Sequence, residues 1–220
     1  VGDFTAEWLA LREPADHRAR SARLTREIAR RLMGRPPLHV LDLGSGTGSN
    51  LRYLTRRLPP VQHWRVIDRD RTLLARIRTP AMWAIVASVH LQPRDLADLE
   101  GNADLFKSVS LVTASALLDL VSAAWIEALA QRCQSSRAVS LFALTYDGRI
   151  ACTPVDRDDD MVRDLVNRHQ RTDKGFGPAL GPDAADVTQQ AFASRGFTVE
   201  RDRSDWTLDD GDAELQRELI

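Results

Sequence analysis

The chain predicts an α/β fold, doubly wound around a mostly parallel sheet. Three observations lead there. Short apolar runs alternate with segments of helical spacing across residues 38–146, which implies parallel strands joined by crossover helices and a sheet covered on both faces. A glycine-rich turn at residues 44–48 separates the first such run from its helix. The 220 residues, 43% hydrophobic and 28% charged, suffice to bury one core but are short for two ordinary domains, so residues 1–220 are read as a single domain.

Within SARLTREIARRLMG, Leu24, Ile28 and Leu32 recur at helical spacing, and Gly34, Pro36 and Pro37 supply a stop; residues 1–37 form a helical lead-in. LHVLDLG reads as a strand buried on both faces, followed by a helix with Leu51, Leu54 and Leu58 before Pro59 and Pro60. HWRVID is a second strand and RTLLARIR, carrying Leu73, Leu74 and Ile77, a second helix. A third strand lies within WAIVASVHL, a fourth within SLVTASAL, a helix starts near Ser122, and AVSLFALTY is a fifth strand. This core spans residues 38–146. Residues 147–183, rich in Asp, Arg, Gly and Pro, break the pattern and are expected to be an inserted lid after strand five. Helical spacing returns over residues 187–195, FTVERDRSDW predicts a sixth strand, and DAELQRELI a last helix. Because no seventh strand follows, residues 184–220 are expected to be incomplete, with the natural chain extending further or borrowing a partner's strand.

Thirty Lys and Arg nearly balance 31 Asp and Glu, so nothing in the net charge favours nucleic acid as a partner. Cys133 and Cys152 have neither the number nor the spacing of a disulfide framework or zinc site; no metal is expected, and a reducing cytoplasm fits best. The most apolar stretch, residues 111–126, is too short to span a bilayer and holds Asp119 in its middle. It reads as a strand running into a helix, so no membrane association is expected.

Gly44, Gly46 and Gly48 stand where only residues without a Cβ let backbone amides approach a ligand. The dinucleotide fingerprint fails because Ser49 occupies its last glycine position, and the phosphate loop fails because no Gly-Lys-Ser or Gly-Lys-Thr follows. What remains is apolar, apolar, Asp, apolar, Gly-x-Gly-x-Gly. VLDLGSGTG (residues 40–48) resembles the first motif of the class I S-adenosylmethionine-dependent methyltransferases, a likeness that spans residues 40–144. The resemblance implies a Rossmann-like methyltransferase fold, methyltransferase activity and S-adenosylmethionine as cofactor.

That ligand carries a sulfonium, an ammonium and a carboxylate but no phosphate. Asp42 suits the ammonium, and the turn of Gly44, Ser45, Gly46 and Gly48 the carboxylate. Asp68, twenty residues after Gly48, stands where an acid accepts hydrogen bonds from both ribose hydroxyls, with Arg69 beside it. The resemblance places a third acid near the adenine amine: Asp95, with the Leu96 amide, or Asp98 if the strand ends a turn later. Thr113 and Ser115, at the end of the fourth strand, face the cofactor or the acceptor.

The acceptor is read as a compact, anionic small molecule under a lid of two segments, PADHRARS (residues 14–21) and NRHQRTDKGFG (residues 167–177). These supply His17, Arg18, Arg20, His169, Arg171 and Lys174. His17 and His169 are the candidate general bases, and Arg20, Arg171 and Ser115 the candidate acceptor ligands. For any one of these cations the plainer reading is a solvated loop. His39, His63 and His90 read as structural, and Trp8, Trp83, Trp125 and Trp206 as packing. Two alternatives stand beside this reading. One is an RNA or protein methyltransferase docking through its arginine-rich N-terminal helix, although the Asp/Asn-Pro-Pro-aromatic motif of nucleobase amino methylation is absent. The other is a cofactor-binding module without catalysis.

Overall fold

The strand β1 (Leu38–Leu43) is buried along nearly its whole length, as an apolar run covered on both faces must be. In the computed structural model, which describes residues 4–35, 37–78 and 85–219, it pairs with β2 (Gln62–Asp68) on one side and β4 (Leu111–Ser115) on the other. β3 (Val86–Pro93) and β5 (Val139–Ala143) complete the order β3-β2-β1-β4-β5, and every pairing is parallel. The strand order reverses direction at β1. This opens a crevice beyond the carboxyl ends of β1 and β4, the place where open α/β sheets bind ligands.

Helices α1 (Ala6–Ala19) and α2 (Ala22–Leu32) precede the sheet. α3 (Ser49–Thr55), α4 (Arg71–Leu74) and α5 (Ala123–Ser136) lie in the β1–β2, β2–β3 and β4–β5 connections, and α6 (Asp159–Gln170), α7 (Ala184–Ala193) and α8 (Ala213–Leu219) follow β5. Thr5, Ser21 and Ser122 start α1, α2 and α5 by accepting the amides of Trp8, Leu24 and Trp125. One core packs Leu41, Leu43 and Val112 against Ile126 and Leu129 of α5 and Phe192 of α7. The other packs Val40, Trp64 and Leu111 against Leu32 of α2 and Leu51 and Leu54 of α3. Buried Gln62 fits there because its amide donates to the Thr55, Leu58 and Pro59 carbonyls while its oxygen accepts from Trp64 Nε1.

The predicted strands one to five are all present. α4 is shorter than expected, a single turn, yet Leu73, Leu74 and Ile77 are buried as its spacing implied. FTVERDRSDW forms no strand, which corrects the expectation of a sixth. Phe197 and Val199 still pack on the core. Beyond them every residue to Arg203 is charged, and these charges seek partners on helices: Glu200 and Asp202 bind Arg23 of α2, and Arg201 binds Asp186 of α7. Residues 14–21 are likewise no loop but the end of α1 and its joint to α2. Residues 147–183 contain α6, which has no buried residue. Among the described residues no helix is long and apolar enough to cross a membrane. Trp83, Pro36 and the start of WAIVASVHL lie outside the described residues.

Candidate functional site

The turn leaving β1 takes left-handed backbone at Gly44, Gly46 and Gly48, with φ of +64°, +52° and +85°. It is also boxed in. A Cβ on Gly44 would stand 3.3 Å from Leu117, on Gly46 3.0 Å from Leu9 of α1, and on Gly48 3.1 Å from Ile77. Both conformation and space therefore demand glycine. The Ser45 amide donates to the Ile67 carbonyl at 2.9 Å and the Gly46 amide to Asp68 Oδ2 at 2.7 Å, so the turn is tied to the end of β2. Asp70 donates its amide to Asp68 Oδ1 at 2.9 Å. Each oxygen of this half-buried carboxylate keeps a further lone pair for a ligand's hydroxyl.

Beneath the turn lies a buried polar chain. Asn50, on the inner side of α3, donates to Asp42 Oδ1 at 2.5 Å and to Thr113 Oγ1 at 3.1 Å, and Thr113 donates to the Leu141 carbonyl at 2.7 Å. Arg20 donates from Nη1 to Asn50 Oδ1 and from Nη2 to Ser115 Oγ, both at 2.7 Å, while its guanidinium lies 4.7 Å above the Tyr53 ring. Two buried atoms of this polar network, Asp42 Oδ2 and Arg20 Nε, have no hydrogen-bond partner among the described residues. Burial pushes the Asp42 carboxyl up to about 6, against the opposing pull of Asn50, Ser45 and Arg20. Burial also lowers the pKa of Arg20.

The structure thus brings together Asp42, Gly44, Ser45, Gly46, Gly48, Asp68, Thr113, Ser115 and Arg20. Arg20 is not on the surface; it is a buried strut between the α1–α2 joint, α3 and β4. Thr113 is wholly buried with its hydroxyl committed, supporting Asn50. His17 sits over the start of α3, its Nε2 3.2 Å from the Ser49 carbonyl and 3.1 Å from its hydroxyl, with its pKa lowered chiefly by burial.

Asp95 is exposed and caps its own loop at the Ala97 amide; Asp98 does the same at Glu100 and Gly101. Leu96 is buried, its carbonyl accepting Trp125 Nε1 at 2.7 Å. The stretch 175–180 passes over this side of the sheet: Gly175 lies beside Arg69, Phe176 meets Trp125 edge-on, and Leu180 donates to the Val121 carbonyl. His169 and Arg171 stand apart in an exposed group, where Lys174 contacts His169 and Arg171 pairs with Asp183.

Sequence reasoning missed Asn50, Tyr53 and Leu9. Asn50 carried one signal, a polar residue between Leu51 and the glycine turn on the side of α3 that faces the sheet. The other two carried none, since an apolar or aromatic side chain at helical spacing reads simply as core.

Residues 40–139 match a family model described as a methyltransferase domain. None of the curated proteins compared with the chain matches it. Among solved structures, the cyclopropane synthase MmaA2 from Mycobacterium tuberculosis is 13% identical with a TM-score of 0.56, over 90% of this chain and 73% of that one. An O-methyltransferase family protein from Burkholderia thailandensis is 16% identical with a TM-score of 0.50, over 84% and 52%. Human N-acetylserotonin methyltransferase, solved in complex with S-adenosylmethionine, is 13% identical with a TM-score of 0.49, over 87% and 48%. The chain spans about half the length of the latter two. At such identities the likeness is one of fold, and what the matched family model adds is that residues 40–139 are similar to a methyltransferase domain.

Proposed function

We propose that the chain binds S-adenosylmethionine at the glycine turn and methylates a small molecule. The observation that carries this reading is Asp42 Oδ2, a wholly buried carboxylate oxygen directly beneath the turn that has no partner among the described residues. Such an atom is costly to leave bare, and a ligand ammonium or a water it holds completes it. Asp68, braced by two amides, is preset to accept the ribose hydroxyls, with Arg69 beside it. Asp95 and the Leu96 amide are assigned to the adenine, under the stretch 175–180 acting as the lid.

When bound, this cofactor supplies an electrophilic methyl group on a sulfonium. The chain's part is to bind, orient and exclude water. Gly44, Ser45, Gly46 and Gly48 form the cradle, Thr113 and Arg20 hold it rigid through Asn50, and Ser115 marks the acceptor side. Arg20, Arg18, Arg171 and Lys174 are each already bonded within the chain, to Asn50, Asp212, Asp183 and Thr172. An anionic acceptor would have to displace one of these partners, and His17 or His169 would have to release its own to act as a base.

Titration calorimetry with S-adenosylmethionine tests the assignment. The wild type is expected to bind, and Asp68→Ala to bind at least about tenfold more weakly, the loss of one or two charge-assisted hydrogen bonds. A folded wild type that takes up no cofactor would overturn it.

A further inference from the structure

The carboxyl ends of β4 and β5 carry a second feature that the cofactor does not explain. Just past each strand a non-glycine residue takes left-handed backbone, Ala116 at φ +53° and Leu144 at φ +59°. The Ala116 amide donates to the Ala143 carbonyl at 3.0 Å, locking the two strand ends together. Strain of this kind persists only where the surroundings over-determine it. Its effect is to turn the chain into the 3-10 turn Leu118–Leu120, whose middle residue is Asp119.

Asp119 is the single acid in the apolar run 111–126 and is only 7% exposed, with Oδ1 buried and without a hydrogen-bond partner among the described residues. Its own amide and that of Tyr146, beyond β5, face the carboxyl group, and Arg12 of α1 is the cation that reaches it electrostatically. Arg12 is committed elsewhere, with two bonds to Asp16 at 2.9 and 3.1 Å. Desolvation accordingly raises the Asp119 pKa. A buried carboxylate oxygen without a partner costs stability unless something completes it.

Its position says what that is. Leu117, two residues before it, lies 3.3 Å from the place a Cβ of Gly44 would take, and β4, which leads into this turn, flanks β1 on the side opposite β2 and Asp68. Tyr146 donates its hydroxyl to Asn167 of α6 at 2.6 Å, which anchors the segment following β5 over the same edge. We propose that Asp119 is the acceptor-recognition residue, its carboxylate accepting a hydrogen bond from the hydroxyl or ammonium of a small molecule held between the glycine turn and Tyr146. The inference rests on the cofactor reading above and replaces a generic acceptor with a hydrogen-bond-donating one.

Two cofactor analogues test this without knowledge of the acceptor: S-adenosylhomocysteine, which lacks the methyl group, and sinefungin, which carries an amine at that place. The amine takes the place of the transferred methyl group and projects toward the acceptor side, where it can donate to Asp119. In calorimetry the wild type is expected to prefer sinefungin by about tenfold, the scale of one charge-assisted hydrogen bond. Asp119→Asn should lose that preference and keep its affinity for S-adenosylhomocysteine within about twofold. An equal preference in wild type and variant, or none in the wild type, overturns the proposal. So does a variant that loses its cooperative melt or its affinity for S-adenosylhomocysteine, because the carboxylate would then serve the fold. A wild type that binds neither analogue overturns the cofactor reading, and this one with it.

Discussion

The Gly46 amide donates to Asp68 Oδ2 at 2.7 Å, so the turn after β1 and the acid at the end of β2 hold each other. Asp68→Ala is therefore expected to loosen the protein as well as the site. Hydrogen bonds to a charged group contribute roughly 1.5–3 kcal/mol, and urea unfolding of the ligand-free variant should show a loss in that range. A variant as stable as the wild type would mean that the turn keeps its shape alone.

Gly46 meets two separate constraints, φ of +52° and the Leu9 side chain 3.0 Å from a would-be Cβ. Gly46→Ala should destabilise through both. Adding Leu9→Ala relieves the contact and leaves the backbone penalty, roughly 1–2 kcal/mol for a left-handed residue. Thermal melts of the single and double variants separate the two; a double variant no better than the single would assign the whole effect to φ.

Arg20 and Arg171 should behave in opposite ways. Arg20→Met strips buried partners from Asn50 and Ser115 and leaves Asp42 without its nearby cation, a loss of about 3 kcal/mol. Arg171→Met removes an exposed pair with Asp183, worth about 0–1 kcal/mol. Denaturant midpoints of the two purified variants make the comparison, and equal midpoints would contradict the buried strut.

Asp42 gives the fold a pH dependence of definite sign. Its carboxyl is raised from 3.8 to about 6 by burial, so the stability it contributes is full below 3.8 and is lost as the pH rises through about 6. The loss is at most about 3 kcal/mol, from about 1.4 kcal/mol per pKa unit. Asp70, Asp202 and Asp212 have lowered pKa values, and their contribution runs the other way, falling away in acid. Melting temperatures between pH 4 and 7 should decline in the wild type and decline less steeply in Asp42→Asn, in which buried Asp119, also raised, still acts in the same direction. An unchanged slope in the variant would remove Asp42 as its source.

The sheet was legible because short apolar runs alternate with segments of helical spacing, and the motif at residues 40–48 announced the turn. FTVERDRSDW misled because Phe197 and Val199 begin the right alternation and the charges that follow find helices only in three dimensions. Arg20 misled for the converse reason. It sits in a cluster of arginines and reads as solvated, while its partners Asn50 and Ser115 lie far along the chain. Asp119 was visible as an acid in an apolar run, but a sequence does not say which carboxylate oxygen is left bare.

The strut from Arg20 through Asn50 to Asp42 also bears on how this protein can be recombined with its relatives. A crossover between α2 and β1 looks harmless on paper, since it cuts a linker and leaves the motif at residues 40–48 intact. It would nonetheless separate a guanidinium from the amide and hydroxyl that it holds across the core. A chimera that takes the first two helices from elsewhere must bring its own residues for positions 50 and 115, so that these three positions are inherited as a block.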